Sequence, residues 1–301
     1  MYILLQISVP YLVLPEVVVD IRMLSRDQVV SAVRNLCLEA ARYLPADVLA
    51  RMEKYAHAEK NFRGRAILEQ CIENARIAAE KKLPICQDTG FAVLFVEMGT
   101  ACCLDEGSVE EACQEGVRRG YTEGYLRKSI VHDPLFDRVN TNDNTPAVIH
   151  LRSVPGKSLR IVLAPKGGGS ENMSRTAMLK PADGVEGVRD FVFRTVVEAG
   201  GNPCPPTIVG VGLGGTLEQC CLMAKKSLLR PVGTPHEDPR YARLEQELLE
   251  QINSSGVGPQ GLGGRTTALA VHITPYPCHI AQLPVAVNLN CHAARHAEVT
   301  L

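Results

Sequence analysis

Tryptophan is absent from this 301-residue sequence and aromatic residues make up only 5% of it, so any core must be mainly aliphatic. No charge of one sign prevails. The 32 basic residues face 33 acidic ones, the formal net charge is −1, and Lys and Arg are scattered. That balance argues against a nucleic-acid partner or an anionic membrane surface. Long clean apolar runs are missing too: residues 1–22 are apolar, but Pro10, Pro15, Glu16 and Asp20 interrupt them and no basic leader precedes them. A membrane span is therefore not expected. No C-x-x-C spacing occurs among the 11 cysteines, which argues against zinc ribbons and ferredoxin-type clusters with closely spaced ligands. The odd cysteine count, without a disulfide-scaffold spacing or secretory signal, points to a reducing compartment where thiols are buried or bound to metal.

What is present reads as an ordinary globular chain, 46% hydrophobic and 22% charged, long enough for one large domain or two moderate ones. Residues 1–22 are expected to be an N-terminal extension, with translation beginning at Met23 as one hypothesis. Residues 25–81 read as helical: Ser25 and Gln28 form a capping box, and Val29, Val33, Leu36, Ala40 and Leu44 mark an apolar face. Pro45 breaks the run, and two more helical stretches end near Lys81–Lys82. Strand patterns follow at 91–99, 146–154, 159–165 and 207–212, and another apolar segment at 266–273. Between the last two strands a helix is expected from a capping box of Asp183 and Glu186 to a stop at Gly200–Gly201. Asp238 and Pro239 open a further amphipathic helix. The fold class expected is mixed α/β (α+β), a helical N-terminal part of about 23–82 leading into a mixed-sheet body of about 83–301.

Polar, glycine- and proline-rich loops punctuate that body, and binding groups usually sit in such loops. "CQDTG" (86–90) places a thiol beside an amide and a carboxylate. "GVGLGG" (210–215) matches G-x-G-x-x-G, but glycine is abundant here and no paired βαβ half is discernible, so a structural turn is the better reading. "KGGGSEN" (166–172) is not a Walker A loop, because its lysine precedes the glycines. It is either a backbone nest for an anion such as a carboxylate or a flexible hairpin turn. Cys37, Cys71 and Cys113, and the pair Cys220–Cys221 in a helical segment, read as small core residues. Cys86, Cys204, Cys278 and Cys291 stand instead in loops beside Pro, Asn, Gln or His. Three of these could hold one cluster if the fold gathers them, which spacing alone does not show.

Taken together, "CQDTG", "YLRKS", "NTNDNTPAVIH", "APKGGGSENMS", "NPCPP", "GVGLGGT", "GPQGLGGRTTALAVHI", "YPCHI" and "NCHAARHAE" closely resemble the α subunit of two-subunit class I fumarate hydratase, a family that also includes L-tartrate dehydratase. The resemblance runs from about residue 25 to the C-terminus. It implies an oxygen-sensitive 4Fe-4S cluster held by Cys86, Cys204 and Cys291, with Cys278 a lesser candidate. One iron would then lack a protein ligand and act as a Lewis acid toward a dicarboxylate. The resemblance also implies substrate contacts from Gln87, Asp88 and Arg127 and from the loop around Gly169 and Asn172. Arg127 suits a carboxylate because a guanidinium forks onto it with two hydrogen bonds; a surface arginine is the plain alternative. Lys166 is a weaker anion-binding candidate. Asp88 and His279 are the expected catalytic pair, with His279 bonded to Asp88 or to a substrate carboxylate; a satisfied core histidine is the alternative.

In single-chain relatives the residues thought to deprotonate the substrate lie in a C-terminal domain. A separate β subunit is therefore expected to complete the active site, in an α2β2 assembly. The resemblance implies a cytoplasmic hydro-lyase interconverting (S)-malate and fumarate. The alternatives are L-tartrate dehydration, a non-catalytic metal-binding scaffold, or a nicotinamide-binding protein.

Overall fold

The computed structural model describes residues 20–301, so the expected extension lies largely outside the described residues. Its last residue joins the fold: β1 (Arg22–Leu24) pairs in parallel with β3 (Cys102–Leu104). Three helices follow. α1 (Arg26–Arg42) starts at Ser25 and Gln28, whose reciprocal capping bonds both form. Pro45 caps α2 (Ala46–Ala58), and α3 (Phe62–Lys81) stops where Lys82 enters the left-handed region at φ +54°.

Two four-stranded mixed sheets make the body. The first contains β2 (Phe91–Gly99), β4 (Val148–Val154), β5 (Leu159–Lys166) and β10 (Ala297–Thr300), in the order β10-β5-β2-β4. Only β2 and β4 run parallel in it. The two-residue period of a strand sorts its side chains. Ala92, Leu94 and Val96 bury against α1 and α4 (Val109–Glu123), whereas Val93 and Phe95 point the other way, toward Leu222 and Leu229. The second sheet contains β6 (Arg175–Leu179), β7 (Thr207–Gly214), β8 (Ala268–Tyr276) and β9 (Leu283–Asn290), in the order β6-β9-β7-β8. α6 (Gly184–Ala199) and α8 (Pro239–Asn253) cover one face of it with Val188, Val192, Leu244 and Leu248.

α7 (Leu217–Ser227) lies between the sheets. Cys220 and Ala224 meet Ala286 of the second sheet, while Leu222 meets the first. Such a close approach needs glycine. A Cβ at Gly210 would overlap the Ala224 carbonyl oxygen, and one at Gly212 the Cys220 carbonyl oxygen. Gly214 and Gly215, at φ +88° and +72°, then make the turn into α7. "GVGLGG" is thus a helix-packing surface and a tight turn.

One local expectation needs correction, and some elements come in addition to those expected. The Asp183–Glu186 box does not form: a 3₁₀ turn at Pro181–Asp183 precedes α6, and the Asp183 carboxylate accepts the Lys180 N–H at 2.8 Å instead. α4 was not anticipated, although Ser108 and Glu111 make a complete capping box at its start. β9 was not anticipated either, yet it lies inside the second sheet. Among the described residues no helix is long and apolar enough to cross a membrane.

Candidate active site

Three loops meet at the ends of these elements. The left-handed Lys82 turns the chain out of α3, and the Asn74 side-chain amide holds the Ile85 carbonyl at 2.8 Å, which fixes the entry to Cys86. The next residues fold onto the loop after β5. The Asp88 carboxylate accepts the Gly90 N–H at 3.0 Å through one oxygen and the Gly168 N–H at 2.9 Å through the other. Gly90, at φ +79°, lets the Lys166 backbone come within 2.7 Å of where a Cβ would stand. "CQDTG" and "KGGGSEN" therefore form one structural unit. Arg127 reaches it through its backbone, since the Thr89 hydroxyl donates to the Arg127 carbonyl at 2.9 Å.

The glycine segment becomes a single helical turn, α5 (Gly168–Glu171), rather than a hairpin. Lys166 is buried beneath it; its ammonium donates to the Ser170 hydroxyl at 2.9 Å and lies 3.1 Å from the Glu171 carboxylate. Burial pulls the Lys166 pKa down, against the pull of Glu171. Burial also works against the Glu171 carboxylate, but the Lys166 and Lys225 ammoniums outweigh it and hold its pKa at about 2. Asn288 of β9 donates to the same carboxylate at 3.2 Å.

Cys86, Cys204 and Cys291 converge here. Burial first, and then the charges of Cys291 and Cys86, push the Cys204 thiol up; Cys291 is raised by burial and by Cys86, while Arg295 and Lys166 oppose the rise. Every pair of the three is thus within electrostatic reach. Cys204 occupies the left-handed region at φ +54°, a strained position for a non-glycine residue. Among the described residues no three His, Cys, Asp or Glu side chains are close enough for a single metal ion. The donor set suits an anionic iron–sulfur cluster in one respect. Arg295 is buried beside Cys291, donates to the Asp88 carbonyl at 2.6 Å, and keeps a buried Nε with no protein acceptor. That unpaired cationic donor fits an anionic, sulfide-bearing group.

The other expected residues surround this point unevenly. Gln87, Arg127, Gly169, Asn172 and Cys204 are exposed on the same loops. The Arg127 guanidinium makes no hydrogen bond or ion pair among the described residues. His279 is exposed in the β8–β9 connection, where its Nδ1 accepts the Ala281 N–H at 3.2 Å; the anticipated bond to Asp88 does not form. Cys278 is exposed beside it and is not among the charges acting on Cys204 or Cys291. Cys71 packs against a core cluster as expected, and it also feels the charges of Cys291 and Cys204; burial first pushes it up to about 11. Nothing in its helical spacing announces that neighbourhood. Arg295 and Asn288 also escaped notice, although both stand within or next to loops singled out for chemistry.

Residues 30–300 match the family model described as fumarate hydratase (Fumerase). The chain belongs to the fumarate hydratase family. It is 43% identical over 267 residues to a Methanocaldococcus jannaschii protein provisionally named L(+)-tartrate dehydratase subunit alpha, a match covering 87% of this chain and 94% of the relative. It is 33% identical over 278 residues to L(+)-tartrate dehydratase subunit alpha of Escherichia coli strain K12, covering 89% of this chain and 91% of that protein. As a fumarate hydratase family member the chain is a hydro-lyase.

Proposed function

We propose that the chain, through a single catalytic domain of residues 23–301, is the α subunit of a cytoplasmic iron–sulfur hydro-lyase that reversibly hydrates fumarate to (S)-malate. The observation that carries this reading is the mutual proximity of Cys86, Cys204 and Cys291, three sulfurs far apart in sequence, beside the loops of Asp88 and Lys166. Those cysteines would hold a 4Fe-4S cluster, which when bound supplies a Lewis-acidic iron that polarises the C–O bond made or broken.

The chain's own residues handle the rest. Arg127 offers a guanidinium fork to one substrate carboxylate. The Gln87 amide, the Gly169 backbone, Asn172 and the buried ammonium of Lys166 favour the other. Asp88 locks the two loops together and keeps lone pairs for a substrate hydroxyl. His279, exposed nearby in sequence to Cys291, would act when a partner closes the face. The carbon-bound proton must leave beside a neutralised carboxylate, a step that calls for a general base. A β subunit, in an α2β2 assembly, would provide one; the naming of the relatives as alpha subunits supports such a partner.

A second reading, L(+)-tartrate dehydration, is favoured by those same names. The two substrates differ by one hydroxyl, which a few placed groups discriminate. Anaerobic co-expression with the β chain, followed by assays on fumarate, (S)-malate and L(+)-tartrate, tests both. Turnover of fumarate well above tartrate supports the first reading; the reverse order selects the second. Inactivity toward all three defeats the proposal.

A further inference from the structure

Glu59 is buried at the junction of α2 and α3, and it is heavily hydrogen-bonded. One carboxylate oxygen accepts the Arg265 N–H at 2.9 Å, the Thr266 N–H at 3.0 Å and the Thr266 hydroxyl at 2.9 Å. The other accepts the Asn61 N–H at 3.0 Å. Four donors on one buried carboxylate clamp the glycine-rich loop at 258–266 to the start of α3, the helix that leads directly to Cys86.

The far side of that loop holds the other two cysteines. The Gln260 N–H donates to the Pro205 carbonyl at 2.8 Å, and its side-chain amide reaches the same carbonyl at 2.9 Å and His292 Nδ1 at 3.2 Å. The His292 N–H in turn donates to the Cys204 carbonyl at 3.0 Å. Gln260 itself sits at φ +53°, a strained conformation sustained by these bonds. One hydrogen-bonded path therefore runs from Glu59 through the glycine loop to the residues flanking Cys204 and Cys291.

We infer that Glu59 and Gln260 are positioning residues, which fix the spacing of the three cysteine loops so that an iron–sulfur group is retained. The inference rests on the cluster reading above. Neither side chain touches substrate or metal; each acts through the backbone that carries the thiols. Outer-shell partners of this kind commonly change metal affinity by about 10–100-fold when removed.

The test uses the full-length chain with its cluster rebuilt anaerobically, and reads iron release to a ferrous chelator beside the thermal unfolding of the apo chain. Glu59→Gln places an amide N–H against backbone donors, and Gln260→Ala removes the bridge to Pro205 and His292. Each is expected to speed iron release by about tenfold or more. The double variant should be no faster than the worse single one, because both interrupt one path. Thr266→Ser, which keeps the hydroxyl, should release iron at the wild-type rate. Single variants within twofold of wild type overturn the inference, as does a fully additive double variant. Gln260→Ala keeps the question answerable if Glu59→Gln does not fold. A wild-type chain that takes up no cluster sinks the functional proposal itself, an outcome distinct from a loaded wild type whose variants release iron normally.

Discussion

The ammonium of Lys166 lies 3.1 Å from the Glu171 carboxylate, and Glu171 also receives Lys225, so one carboxylate is shared by two cations beside the cysteine loops. Glu171→Gln leaves the Lys166 ammonium buried without a counter-charge. The expected loss of stability is on the order of 2 kcal/mol, less than for an enclosed pair because the Glu171 side chain is 42% exposed. The pH dependence follows from the depressed pKa. Glu171 is held at about 2 against an ordinary 4.5, so its stabilisation is complete above pH 4.5 and fades as the pH falls toward 2. Thermal melts across that window should show a slope in the wild type that is shallower in the variant.

His272 titrates in a different window. It is buried on β8 with Nδ1 3.1 Å from the Ser227 carbonyl, and burial together with the nearby Arg230 pushes its pKa down from 6.5 to about 4. The unfolded chain takes up the proton first, so His272 costs stability as the pH falls from 6.5 to about 4. His272→Gln removes the titration while keeping a hydrogen-bonding side chain. Denaturant midpoints measured between those pH values should fall for the wild type and change less for the variant.

Gly212→Ala tests the helix between the sheets. The added methyl carbon would overlap the Cys220 carbonyl oxygen and stand 2.9 Å from the Ala224 nitrogen, both backbone atoms with no rotamer to escape into. A destabilisation of about 3 kcal/mol or more is expected. Urea unfolding, or loss of soluble protein, checks it; a variant as stable as wild type contradicts the packing described.

Replacing Cys86, Cys204 or Cys291 by serine is expected to bring the iron content of the anaerobically reconstituted chain from about four per chain to well below that, whereas Cys278→Ser should retain it. Iron and acid-labile sulfide counts decide between them. Equal losses for all four variants would contradict the ligand set.

Much of this was legible from local chemistry. The Ser25–Gln28 box and the Asp238 cap delimit helices because each is a short-range hydrogen bond that the sequence specifies by itself. The Asp183 box failed because Pro181 opened a 3₁₀ turn that took the carboxylate first. β9 was obscured by Pro284 and by Asn288 and Asn290; buried on both sides, it has no polar–apolar alternation to read. At the site, Cys86, Cys204 and Cys291 stood out through their loop settings and the family resemblance. Cys71 and Glu59 did not, since each owes its place to contacts with residues more than a hundred positions away. No window along the chain contains that information.

The absence of side chains at Gly210 and Gly212 has a mechanical consequence. Where α7 meets β7, the spacing is set by backbone against backbone, so no rotamer change can dilate or compress it. The same helix also touches the first sheet through Leu222. The register of α7 on the second sheet is therefore fixed by main-chain contact, while its seat on the first sheet is left to a side chain that can repack.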